Sequence, residues 1–225
     1  MYEFLTGPAA IAAFGIFFIG LIVRVIIYIR GLHWQMDRVT YTVNVSYGIK
    51  GAIRSVIAWI LPFGSVGWRS KPGITLLFFI FHFGLLFTPL FLQAHNFLLK
   101  ERWGFSLWTI SDPTADLLTI ITLVAAVFLV LRRIALAEVR ILTTAYDYIL
   151  LGITVAPFLT GLLAFHQVWD YHFWLMVHII SGEIMLICIP FTKLSHVVLF
   201  FCSRIQLGMD FGIKRGGMKG KGFAW

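Results

Sequence analysis

Charge is what this chain has least of. Aspartate, glutamate, lysine and arginine together make up 12% of its 225 residues, and only ten of them are acidic. A soluble domain carries about 25% charged residues, so a globule exposed to water on all sides is excluded. Cysteine is scarce too: Cys188 and Cys202 stand 14 residues apart and form no Cys-x-x-Cys pair. A covalent c-type haem, a zinc site and an iron–sulfur cluster are therefore not encoded, and both cysteines read as small apolar packing residues. No internal repeat and no low-complexity segment interrupts the chain. Its first residues lack a basic n-region and their apolar stretch outruns an h-region, so they are expected to remain as a signal anchor. Hydrocarbon fills the space instead. Hydrophobic residues reach 60% and mean hydropathy is +0.90, the composition of an integral membrane protein. The formal charge of +8 does not mark a nucleic-acid binder, because the basic residues flank apolar runs.

The expected fold is all-α: a bundle of five transmembrane helices over residues 1–203, followed by a basic tail, 204–225. Spans of about 20 apolar residues fit near 7–29, 73–99, 114–131, 145–165 and 173–201. Pro89 interrupts the second, Pro157 and Gly161 lie in the fourth, and Pro190 lies in the fifth. Between the first two spans, Tyr47 to Phe63 reads as an amphipathic helix lying on the membrane surface, with Lys50 and Arg54 four apart and Trp59 on its apolar side. His33 reads as an interfacial residue, and Trp103 and Trp108 as an interfacial aromatic pair. Connections 31–72, 132–144 and 202–225 hold thirteen lysines and arginines, against two on the other side, Lys100 and Arg102. The positive-inside rule then places the N-terminus outside, which in a bacterial inner membrane is the periplasm, and the tail in the cytoplasm. The tail, rich in glycine and lysine, is expected to order only against a partner.

Polar chemistry concentrates in seven histidines. His178 and His196 are 18 residues apart, which is five turns of a single α-helix and about 27 Å of rise, close to the depth of the hydrocarbon core. His82 and His95 stand in the antiparallel second span. Matching depths pair His82 with His196 towards the cytoplasm and His95 with His178 towards the periplasm. Such couples suit two non-covalent haem b groups with bis-histidine iron, stacked across the bilayer for electron transfer. The other reading of each histidine is an interhelical hydrogen bond. The 13 residues from His82 to His95 give only about 19.5 Å and a rotation of about 220°, so one straight helix does not match its partner. A kink at Pro89 or Pro190 is expected to absorb the difference, with His166 and His172 in the outer loop as substitutes for His95. Those two histidines and Gln167 lie where a quinol such as menaquinol could bind. Glu183 reads either as part of a proton or quinol path or as a protonated interhelical hydrogen bond. Arg24, Arg132 and Arg133 read either as haem-propionate contacts or as topology determinants.

The run from His178 to His196, with Pro190-Phe-Thr-Lys-Leu-Ser before the second histidine, resembles the last span of the respiratory nitrate reductase gamma subunit, a dihaem cytochrome b. Phe81-His82-Phe83-Gly84 resembles its inner ligand motif, and Leu131-Arg132-Arg133 with Thr143-Thr144 resembles its basic loop. In that family the second ligand of span two falls ten residues after the first, which here is Leu92. His95, within Pro89-Leu-Phe-Leu-Gln-Ala-His-Asn96, is closer to the cytochrome b subunits of sulfate-reducer transmembrane redox complexes. These are the high-molecular-weight multihaem cytochrome c complex, its tetrahaem relative and the sulfite reductase-linked complex. The resemblance implies an anaerobic respiratory role. It also implies a second integral membrane subunit, a cytoplasmic heterodisulfide-reductase-like iron–sulfur partner and a periplasmic multihaem cytochrome c. Two rivals belong to other classes: a proton or ion transporter using Glu183, Asp147 and the histidines, and a haem-free membrane anchor of a redox enzyme.

Overall fold

Among the described residues, 1–32 and 45–214, the computed structural model is helical and contains no strand. His33, part of the long first connection and the tail beyond Lys214 lie outside them. Five stretches are long and apolar enough to cross a membrane: Tyr2–Gly31, Pro72–Phe91, Asp112–Ala135, Ala145–Phe165 and Tyr171–Phe191. The first comprises α1 (Tyr2–Phe4), a π-turn over Leu5–Ala9 where Pro8 lacks an N–H, and α2 (Ala10–Gly31). The chain then forms α3 (Val45–Ile60), α4 (Val66–Ser70), α5 (Pro72–Phe91), α6 (Gln93–Trp103), α7 (Asp112–Ala135) and α8 (Ala137–Arg140). It ends with α9 (Ala145–Phe165), α10 (Tyr171–Phe191), a 3₁₀ turn at Lys193–Ser195, and α11 (His196–Lys214).

Two units pack separately. The first comprises Met1–Phe14 and Leu76–Ile187. Phe81 of α5 and Ala125 and Ala126 of α7 form its core, with Leu151 and Val155 of α9 against them. The small residues have a reason: in lipid, helices gain by close packing, not by hiding apolar surface from water. A Cβ at Gly84 would overlap Thr122 Oγ1, so this glycine lets α5 and α7 approach closely. Arg102 of α6 donates to Glu3 at 2.8 Å and to Thr6 at 3.1 Å, and the Glu3 carboxylate holds its guanidinium pKa above the usual value.

The second unit, Gly15–Thr75 with Cys188–Trp225, is built on α3 and α11 packed along each other. Gly48, Gly51, Ala52 and Ser55 of α3 are buried at helical spacing. A Cβ at Gly208 would meet Gly51 O at 2.5 Å and the Ala52 Cα at 2.6 Å, so the two backbones touch. The Arg204 guanidinium lies 4.7 Å from the Trp59 ring centroid, and the Tyr28 hydroxyl donates to Gln206 at 2.5 Å. A Gly208→Leu chain is expected to lose about 1–3 kcal/mol of this pairing by overpacking. Faster proteolysis between α3 and α4 would report it, and an unchanged digestion pattern would refute the contact.

Two expected spans are broken. The fifth does not run unbroken to residue 201: α10 stops at Phe191, and His196 opens a new helix. Pro190 cannot continue the ladder, and Thr192 turns extended, its hydroxyl donating to Cys188 O at 2.8 Å and accepting from Leu194 N–H at 3.2 Å. His178 and His196 therefore do not share one face of a continuous helix. α11 also runs on through Arg204, where a tail was expected to begin. The second break falls at Leu92, which is extended with ψ 133°, so span two ends at Phe91 instead of running to residue 99.

Candidate functional site

The break at Leu92 shapes the site. A helix end leaves its last four carbonyls without intrahelical partners, and inside a membrane each must find a donor. All four do so here. Thr88 O accepts from Leu92 N–H at 2.9 Å, and Phe91 O from Ile110 N–H at 2.9 Å. Leu90 O accepts from the Asn96 amide at 2.8 Å, and Pro89 O lies 2.8 Å from His95 Nδ1. Asn96, only 2% exposed, also donates to Leu92 O and accepts from Leu107 N–H at 2.7 Å. Asn96 thus pins the break, while the neighbouring His95 ring is held by Pro89 O.

His178 reaches the same place from α10. Its Nδ1 lies 2.8 Å from Pro157 O of α9, and a Cβ at Gly161 would sit 2.9 Å from that nitrogen and 3.0 Å from Cε1. The Gly161 position is thus a bay for the imidazole. The His95 and His178 rings come together with centroids 5.8 Å apart and an interplanar angle of 18°. Two imidazoles opposed across one metal atom, with metal–nitrogen bonds of about 2 Å, have centroids about 6 Å apart. The pair fits that spacing.

Tautomer is the second observation. A carbonyl oxygen only accepts, so a ring nitrogen beside it must carry the proton. His82 Nδ1 lies 2.9 Å from Phe78 O, and His196 Nδ1 lies 2.9 Å from Lys193 O. With His95 and His178, all four of these histidines place Nδ1–H on a backbone carbonyl and the lone pair on Nε2. This is how metal-binding histidines are oriented and made more basic. His166 differs: its Nε2 lies 2.9 Å from Asp116 Oδ1, a hydrogen-bond contact that occupies the nitrogen a ligand would need. His82 belongs to the first unit and His196 to the second, so their pairing rests on depth in the sequence.

The remaining candidates separate. Glu183 Oε1 is closed to solvent with no hydrogen-bond partner among the described residues, as are Trp174 Nε1 and Thr88 Oγ1. Trp174 stands one turn before His178 on the same face of α10, and Thr88 immediately precedes Pro89. Orphaned donors beside the histidine pair fit a group that carries acceptor oxygens. Arg133 donates to Thr143 Oγ1 at 3.2 Å, and Arg132 lies beside it in the last turn of α7. In the outer loop, Gln167 and Trp169 adopt φ of 51° and 63°, and the His172 N–H donates to Asp170 at 2.8 Å. Asp147 is committed to capping α9 through Thr144. Among the described residues no three His, Cys, Asp or Glu side chains gather as a metal cluster; a haem needs only two, because the porphyrin supplies the other ligands.

The fold and site define a multi-pass helical membrane protein with a histidine pair, one ring on the fifth span and the other on the helix that follows the second. The chain is 54% identical over 226 residues to a protein of Nitratidesulfovibrio vulgaris (strain Hildenborough), described only as "Protein", with full coverage of both. It belongs to the same family as that protein. No family model matches the chain, and neither does any solved structure.

Proposed function

We propose that the chain is the b-type cytochrome subunit of an anaerobic respiratory membrane complex. Two haem b groups would carry electrons across the bilayer, between the periplasmic side or the menaquinone pool and a cytoplasmic iron–sulfur subunit. His95 and His178 would hold the outer haem and His82 and His196 the inner one. The haem iron supplies one-electron chemistry; the protein supplies axial nitrogens, burial and fixed ring orientation. The observation that carries this reading is the His95–His178 pair, with centroids 5.8 Å apart and both Nδ1 atoms tied to proline carbonyls. It is supported by the resemblance to sulfate-reducer cytochrome b subunits and by a relative from a sulfate reducer.

In this reading the N-terminus is periplasmic, and α3 lies at the cytoplasmic interface with its exposed Ile49, Ile53 and Ile57 in lipid. A heterodisulfide-reductase-like iron–sulfur protein would dock inside, a multihaem cytochrome c outside, and another membrane subunit alongside. The test is a reduced-minus-oxidised spectrum of the purified chain, with a b-type α-band and two haems per polypeptide expected. The second reading, a proton-translocating subunit, draws on Glu183 Oε1, buried with no hydrogen-bond partner among the described residues. A preparation that binds no haem when supplied with it would leave only that reading or a haem-free anchor.

A further inference from the structure

The face of α3 that meets α11 carries hydrogen-bond donors that find no acceptor. Ser55 is 0% exposed, and its Oγ has no hydrogen-bond partner among the described residues. The Trp59 Nε1–H, one turn further along the same face, is buried and has none either. Gly208 of α11 touches Gly51 and Ala52, while Arg204, one turn earlier, covers Trp59, about two turns later on α3. The helices therefore run antiparallel, and Ser55 lies between the two contacts. Arg204 rests on the indole face, 4.7 Å from the ring centroid, a contact that uses no N–H. Among the described residues no carboxylate lies within ion-pair distance of it, and no oxygen accepts from it. Two other arginines of the same unit do find oxygens: Arg24 Nε donates to Pro190 O at 2.7 Å, and Arg69 donates to Phe63 O at 3.2 Å. Burial holds the Arg204 guanidinium below its usual pKa, as expected of a cation short of both water and counter-charge. Buried donors are rarely left unmade, so three in one place, one of them a cation, form the complement of an anion.

The surroundings name the source of that anion. Ile57 and Ile60 flank Trp59 on α3, and Phe201 and Ile205 flank Arg204 on α11, all between 43% and 51% exposed. The two isoleucines continue the exposed stripe of Ile49 and Ile53, a surface suited to acyl chains. We propose that Ser55, Trp59 and Arg204 bind the phosphate group of an anionic membrane phospholipid, with its acyl chains against the isoleucines of α3. The site needs no haem and stands apart from the cytochrome reading. Arg204 supplies a planar pair of charged donors, and the indole and the hydroxyl supply one donor each. Arg204 is partly exposed, so the group opens to a ligand on its side.

The test places the whole chain in nanodiscs of phosphatidylcholine, with and without phosphatidylglycerol. It reads the phosphatidylglycerol retained per polypeptide by native mass spectrometry, and thermal unfolding beside it. Wild type is expected to retain one phosphatidylglycerol and to gain thermal stability from it. Arg204→Gln, and Trp59→Phe, which keeps a ring but deletes the N–H, should each weaken that lipid about tenfold, the size of a lost hydrogen bond to a charged group. Ser55→Ala gives the sharper sign. Removing an unpaired buried hydroxyl should leave the chain at least as stable in phosphatidylcholine alone, yet lose part of the gain from phosphatidylglycerol. Lys50→Gln removes the same charge from the exposed face of α3 and should change binding at most about twofold. Equal losses in Lys50→Gln and Arg204→Gln would overturn the site in favour of diffuse attraction to a basic surface. Unchanged phosphatidylglycerol binding in Arg204→Gln would overturn it outright. The same stabilisation by inorganic phosphate in phosphatidylcholine alone would overturn the lipid as the source. Stabilisation by polyglutamate but not by phosphatidylglycerol would overturn it too, and give this face to an acidic protein partner.

Discussion

A His178→Ala chain is expected to retain about half the haem of wild type and to remain folded. The two readings of this histidine differ in size. An interhelical hydrogen bond in a membrane contributes about 0.6 kcal/mol on average and at most about 1.7, so losing the bond to Pro157 alone barely changes the protein. An axial ligand is not dispensable in that way. Without His178, the His95 ring loses the partner whose centroid lies 5.8 Å away, and on the proposed reading the outer haem would keep one protein ligand of two. On the same reading the inner haem would keep both of its ligands, so the difference band is expected to fall to about half instead of vanishing. Haem per polypeptide, measured beside far-ultraviolet circular dichroism, separates the cases. Full haem with normal helicity would refute the ligand role of His178. Loss of both haems with normal helicity would show that the two sites are not independent.

Much of this architecture can be read from residue order, and the parts that cannot share a cause. Five spans are legible because a bilayer demands about 20 apolar residues at a stretch and leaves few alternatives. The meeting of His95 and His178 follows from counting depth along antiparallel spans, although their helical phases argue against it. The breaks at Leu92 and at Thr192–Ser195 are not legible from proline alone. Pro157 lies inside an unbroken α9, and Pro89 is followed by two more helical residues. What ends α5 is the capture of its freed carbonyls by Asn96, His95 and Ile110, up to 19 residues away in sequence. Asn96 carries a signal in retrospect, since a buried amide beside a span histidine needs several partners. The close contact of α3 with α11 is equally silent, because Gly51 and Gly208 are 157 residues apart. The tautomer shared by four histidines depends on which carbonyl each ring finds, and that is a property of the fold.

Gly161 tests whether that fold, rather than composition, aims the outer ligand. A methyl group there would lie 2.9 and 3.0 Å from two atoms of the His178 ring, closer than side-chain carbons normally approach. A flexible tip would swing aside at little cost, but this ring is held by Pro157 O and stands beside His95. Gly161→Val is therefore expected to turn the imidazole out of line and remove the outer haem, as His178→Ala does, although it deletes no ligand. Gly161→Ala, with less bulk, should give a partial loss. The decisive measurement is the double variant. If Gly161 acts only through His178, Gly161→Val added to His178→Ala removes no further haem, because neighbours that share one function are not additive. A further loss in the double variant, or full haem in Gly161→Val with normal helicity, would mean that the glycine is there for helix packing and the ring is oriented by something else.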